Sequence, residues 1–111
     1  MKIFDLKNKA AQSESRESLL GFRDTGSHAC YMIYGVLKPR EQRRQIRPGP
    51  GHEEIVLAMN GDLEVTGFYS GRIKEGSAFL MRGDQECFLE NRGETDAVYI
   101  IAGGHLEADG H

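Results

Sequence analysis

The chain has 111 residues, enough for one core and too few for two, and its 39% hydrophobic and 28% charged residues exclude both a membrane-embedded and a compositionally disordered protein. A formal net charge of −3 gives no global reason to expect a nucleic-acid partner. No run approaches the roughly 18 apolar residues of a transmembrane helix, and nothing near the N-terminus resembles a secretory signal, so a cytoplasmic location with no membrane partner is expected.

Fourteen glycines punctuate short segments rich in Val, Ile, Leu, Phe and Tyr, the rhythm of an all-β domain. In chain order, strands are predicted at residues 2–6 and 18–23, separated by a polar stretch, 8–17, that reads as a short helix or a loop. Asp24-Thr25-Gly26-Ser27 reads as a hairpin turn into a strand at 29–37, followed by strands at 41–46 and 54–59. Asn60-Gly61 matches the type I′ preference for positive φ at both central positions and leads into a strand at 62–65. Ser70-Gly71 is a further turn; strands at 78–81 and 86–90, a turn at Arg92-Gly93-Glu94 and a strand at 97–102 complete the pattern. The tail, 103–111, is small and polar. It frays, or its two histidines, His105 and His111, fold back. Without a βαβ pattern the strands must close on themselves as a barrel or a sandwich.

Cys30 and Cys87 lie far apart without CxxC spacing and read as reduced, mostly buried thiols. Residues 40–47 contain four arginines. Strand alternation sets Arg43, Gln45 and Arg47 on one face and Gln42, Arg44 and Ile46 on the other. One set lines a cavity, or the segment is a charged edge strand, the reading preferred for Arg40, Arg43 and Arg44. No interleaved aromatics accompany the arginines, which argues against RNA. Tyr31 and Tyr34 point to opposite faces, so at most one meets a cavity; Phe79, Phe88 and Tyr99 read as core. No Ser-His-Asp, Cys-His or phosphate-loop arrangement is present.

These segments resemble the small single-domain cupins. The run from Glu53 through Gly61 resembles the second half of the first cupin motif, with Leu37-Lys38-Pro39 upstream like the turn that precedes it; the run from Ile73 through Glu86 resembles the second motif. The likeness covers roughly residues 29–102. It implies an all-β, double-stranded β-helix: a jelly-roll barrel enclosing a small-molecule pocket, often in a homodimer. Residues 1–28 are then N-terminal strands and a loop packed on the barrel, and 103–111 a flexible tail. Metal-binding cupins commonly supply His-x-His and a glutamate from the first motif and a histidine from the second. Here those positions fall on Gln45, Arg47, Glu54 and Glu86, with Asn91 near the usual trailing asparagine; only Glu54 is unchanged.

Three readings of function follow. In the first, Arg47 and Gln45 bind a small anionic or polyhydroxylated ligand in the barrel, with Glu54 or Glu86 as base and His52 as acid. An Arg47–Glu54 or Arg47–Glu86 pair balances the carboxylates there. In the second, His52, Glu54 and Glu86, with His105 as a fourth donor, hold a divalent transition metal such as zinc, manganese or ferrous iron. In the third, the barrel binds or senses without catalysis. His52, directly after Pro-Gly-Pro-Gly, is otherwise a solvated loop residue.

Overall fold

The computed structural model describes residues 1–106; His111 lies outside them. The elements are α1 (Leu6–Gln12), β1 (Glu17–Leu20), α2 (Phe22–Thr25), β2 (Cys30–Leu37), β3 (Arg44–Ile46), β4 (His52–Asn60), β5 (Leu63–Gly67), β6 (Gly71–Ile73), β7 (Ala78–Arg82), β8 (Cys87–Glu90) and β9 (Ala97–His105). They form two antiparallel sheets, ordered β1-β2-β9-β4-β7 and β3-β8-β5-β6. Inward residues of the first, including Leu37, Val56, Tyr99 and Ile101, meet Ile46, Leu63, Val65 and Leu89 of the second in one buried cluster. No helix among the described residues is long and apolar enough to cross a membrane.

The predicted strand at 2–6 does not form. Helix α1 begins at Leu6, capped by the Asp5 carboxylate, which accepts from Asn8 N at 3.0 Å. Its buried Ala10 and the 2.8 Å bond from Ser18 Oγ to the Leu6 carbonyl seat it beside β1. Strand β1 stops at Leu20 because the chain turns into α2, which Gly26 ends in the left-handed conformation at φ 77°. The expected hairpin turn at 24–27 is therefore the end of a short helix. Only three residues of the predicted strand 41–46 pair, since Arg40 and Arg43 take positive φ (68° and 62°) and break the extended chain.

Asn60-Gly61 is not a type I′ hairpin. Gly61 has φ 94°, but Asn60 is not left-handed and pairs with Val98 after a bulge at the end of β4. Strands β4 and β5 belong to different sheets, so this turn is a corner between layers. The expected turn at Ser70-Gly71 runs directly into strand β6, which pairs with β5. Strand β9 runs three residues beyond its predicted end and pairs His105 with His52.

Strands β2 and β9 each carry Tyr-x-x-x-Gly, and their antiparallel register sets Tyr31 opposite Gly103 and Gly35 opposite Tyr99. Each tyrosine lies across the facing glycine. A Cβ on Gly35 would stand 2.0 Å from Tyr99 Cζ, and one on Gly103 would stand 2.1 Å from Tyr31 Cζ. The Tyr99 hydroxyl thereby reaches past β2 to donate to Glu17 of β1, and it accepts from Arg44 Nη1 at 2.7 Å. Tyr99 is fully buried and held at its tip, so it has nowhere to move. Gly35→Ala is expected to destabilise the protein by about 3 kcal/mol, measured as a lower denaturant midpoint with an unchanged m-value.

Candidate functional site

Alternation along β4 turns His52, Glu54, Val56 and Ala58 toward the barrel interior. The last two are buried in the apolar core; the first two lie at the open end. There, an open cleft of about 430 Å³ is bounded on one side by Leu19, Phe22, Ile33 and Pro48. Tyr31, His52, Glu54 and His105 line it with polar groups, together with Ser27, His28 and Cys30.

Glu54 is 5% exposed and forms no salt bridge among the described residues. Its Oε2 accepts a 2.5 Å hydrogen bond from the Tyr31 hydroxyl, the bond that the bare Gly103 between them permits. Burial raises the carboxyl above its ordinary proton affinity; the Tyr31 hydrogen bond and the nearby His52 draw it back only in part. Burial and the Glu54 carboxylate in turn raise the Tyr31 phenol. His52 Nδ1 lies 3.0 Å from the Pro50 carbonyl. A carbonyl only accepts, so Nδ1 donates, and in the neutral ring Nε2 is left as an acceptor. The His105 ring lies against His52, centroid to centroid 4.2 Å, and both meet Tyr31 edge-on.

The other expected site residues stand elsewhere. In β3 the inward pair is Arg44 and Ile46, so Gln45 and Arg47 take the outer face and are exposed. Gln45 Nε2 donates to Glu86 Oε2 on that outer surface; Phe88, beside Gln45 in the register, is likewise outside, under the Arg43 guanidinium. The expected gathering of Arg47, Glu54 and Glu86 in one hollow does not occur, and neither Arg47 salt bridge forms. At that end of β8 the inward side chain is Cys87, buried and with its thiol pushed up to about 11, chiefly by burial. Cys30 is exposed, against expectation, and no disulfide joins the two.

The guanidinium that does turn inward is Arg44. It binds Glu41 at 2.8 Å, the Val36 carbonyl at 3.2 Å and the Tyr99 hydroxyl, with Glu17 at 3.8 Å. Those partners engage both terminal nitrogens, so Arg44 is a clamp between the sheets. A metal does not fit the expected set, because Glu86 is on the far side of the wall from His52 and Glu54, and no group of three His, Cys, Asp or Glu among the described residues is placed to hold an ion. Of the two tyrosines on β2, Tyr31 is the one that meets the cleft. The signal that finds it is the repeated Tyr-x-x-x-Gly.

No family model and no curated protein matches this chain. Solved structures do. A double-stranded β-helix protein from Klebsiella pneumoniae superposes with a TM-score of 0.72 at 12% identity, covering 97% of this chain and 93% of that one. A recombinant oxalate oxidase in complex with glycolate gives 0.73 at 18%, covering 93% of this chain and 59% of the oxidase. The Schizosaccharomyces pombe Cnp3 cupin domain gives 0.66 at 11%, covering 80% and 59%. The chain thus spans little more than half the length of the oxalate oxidase, and identities this low speak for the fold alone. That fold is the cupin double-stranded β-helix expected from the sequence.

A carboxyl whose proton affinity is raised in the folded state stabilises the protein below the ordinary carboxylate range and loses that contribution as pH rises through its folded value. Glu54→Gln, which keeps an acceptor for Tyr31, is therefore expected to melt above the parent at about pH 8. The gap should close by about pH 4. Thermal unfolding across that range tests it, and a variant less stable than the parent at the higher pH contradicts the buried, unpaired carboxylate.

Proposed function

We propose that this protein binds a small organic molecule in the open end of its barrel, with Glu54, Tyr31 and His52 engaging the ligand's polar group. The observation that carries this reading is Glu54 itself, a carboxylate nine-tenths enclosed that has, among the described residues, one neutral hydrogen bond and no salt-bridge partner. Such a group costs stability, and is retained where it has a use. The hollow at the opposite end of the barrel is lined by charges that satisfy one another, Arg72 and Arg92 with Glu64 and Arg16 with Asp96. The ligand presents an apolar body to Leu19, Phe22, Ile33 and Pro48. Arg47 and Gln45 lie outside the cleft, so they give no support to an anionic ligand. Acid–base chemistry rests on Glu54 as the base, since its raised proton affinity brings it closer to the working pH. His52 serves as acid only as the imidazolium. Glu86, on the outer wall, has no part. The unpaired thiols Cys30 and Cys87 suit a reducing compartment such as the cytoplasm.

Amide NMR of the full chain against a fragment library tests the site. Hits are expected to move Tyr31, His52 and Gly103, and Glu54→Ala to weaken them about tenfold or more. Hits confined to the opposite end of the barrel would refute the reading. Turnover of a bound compound, lost in Glu54→Gln, separates an enzyme from a binding module.

The assembly we propose is a homodimer formed by the outer face of the five-stranded sheet. Across four strands the register aligns Met32, Ala102, Ile55 and Leu80 in one row and Tyr34, Ile100, Leu57 and Ala78 in the next. Ile55 is 50% and Leu80 43% exposed. At about 4.8 Å between strands and about 3.4 Å per residue, these two rows span roughly 260 Å² of contiguous, mainly apolar surface. Its rim carries the Glu53–Arg82 pair. None of these eight side chains is charged, so the face can bury like against like in a self-complementary two-fold contact. Sedimentation is expected to give twice the chain mass, and Ile55→Glu the single mass; a monomeric parent at micromolar concentration overturns the proposal.

A further inference from the structure

The cleft's lining is unbalanced in charge and in hydrogen-bonding sense. Among the described residues Glu54 is its only formally charged one, and neither lysine nor arginine borders it. The nearest inward guanidinium, Arg44, is taken up by Glu41, Glu17, Tyr99 and a backbone carbonyl. One Glu54 oxygen accepts from Tyr31; the other accepts from no described residue, yet it is not among the fully enclosed side-chain atoms that lack a partner. That oxygen therefore keeps some exposure as a free acceptor, on a residue that lines the cleft. With Nδ1 committed to Pro50, the neutral His52 ring offers a second acceptor at Nε2.

Around these acceptors stand π faces. Phe22 and His28 are stacked at 4.0 Å on one side, and Tyr31, His52 and His105 cluster on the other. Aromatic faces are electron-rich and attract cations, more strongly where water is excluded. An anionic ligand would meet a carboxylate and no counter-charge. A neutral alcohol would satisfy one acceptor and leave the buried charge unbalanced. A protonated amine meets every feature: it neutralises Glu54, brings several N–H donors to acceptors that lack them, and places its charge among rings.

From this we infer that the ligand is a small organic cation, a protonated amine on an apolar or aromatic body, its nitrogen held by Glu54 and flanked by the rings of Tyr31 and His52. The inference rests on the cleft being the binding site and adds the sign of the ligand's charge. It displaces the anionic ligand suggested by the arginines of the sequence, none of which borders the cleft.

The test is a titration of the full chain, followed by amide NMR at about pH 8, above the range in which imidazoles ordinarily charge, with benzylamine, benzyl alcohol and benzoate. These three share a ring and differ in charge. Benzylamine is expected to saturate signals of Tyr31, His52 and Gly103 with an affinity about tenfold or more above that of the alcohol, and benzoate not to saturate. Glu54→Gln should bring amine and alcohol within about twofold of each other, and Glu86→Gln, on the outer wall, should change nothing. Phe22→Leu at the rim provides a second variant, expected to weaken the amine roughly threefold and the alcohol less. Equal or tighter binding of the alcohol or benzoate overturns the inference while leaving the cleft as a binding site. An amine preference that survives Glu54→Gln overturns it as well, since the attraction would then come from the acidic surface at large. No response at the cleft to any of the three overturns both the inference and the reading beneath it.

Discussion

Two glycines, each lying under a tyrosine, hold this structure in its working form. In a regular antiparallel pair, side chains directly opposite stand about 4.5–5.5 Å apart and rise side by side from the sheet. Replacing one by hydrogen lets its partner fold down across the strand and carry a polar tip to the strand beyond. Tyr99 does this over Gly35 and Tyr31 over Gly103, from the same pair of strands running in opposite directions. The first crossing closes the barrel, because the Tyr99 hydroxyl joins Glu17 of the edge strand to Arg44 of the other sheet. The second opens it to chemistry, because the Tyr31 hydroxyl meets a carboxylate that would otherwise be buried alone. The device is the same; the difference lies in what surrounds its tip.

At the Tyr99 end, charge is compensated. Arg44 answers two carboxylates, and burial of the group is supported by several hydrogen bonds that converge on the guanidinium. At the Tyr31 end it is not. Tyr31 supplies a neutral hydrogen bond, and burial outweighs it in setting the affinity of Glu54 for its proton. An ion pair like that of Arg44 would have made the open end more stable and chemically inert. Sites that act on ligands commonly retain such an unbalanced group at some expense in stability.

Much of this was legible in the sequence, and the rest failed for definite reasons. The inward position of Glu54 follows from its match to the glutamate of the first cupin motif, and the strand buries alternate residues from Glu54 to Ala58. Glycine spacing and short apolar runs sufficed for the all-β barrel. Gln45 and Arg47 were assigned to the interior on family spacing, and β3 is too short to carry a period of its own: three residues, entered through a left-handed arginine. With so few residues a shift of one reverses every face, and Arg44 and Cys87 hold the inward positions. Asn60-Gly61 misled because local turn chemistry cannot tell whether the next strand joins the same sheet. The paired Tyr-x-x-x-Gly was visible, but its meaning depends on a cross-strand register that only the folded chain supplies.

The same register explains why the reactive groups lie where they do along the barrel. Residues at one level of the sheet, Tyr31, Gly103, Glu54 and Met81, form a row across four strands. Toward the closed end the inward positions on β2, β9 and β4 are Ile33, Ile101 and Val56; one step toward the opening, β4 and β9 present His52 and His105. Glu54 thus occupies the boundary layer between apolar core and imidazole rim. Moved one step inward, a carboxylate would meet only hydrocarbon and could not remain charged. Moved one step outward, it would be hydrated and lose its raised proton affinity. The position that makes Glu54 unfavourable for folding is therefore also the one from which it can both hold charge and reach a ligand.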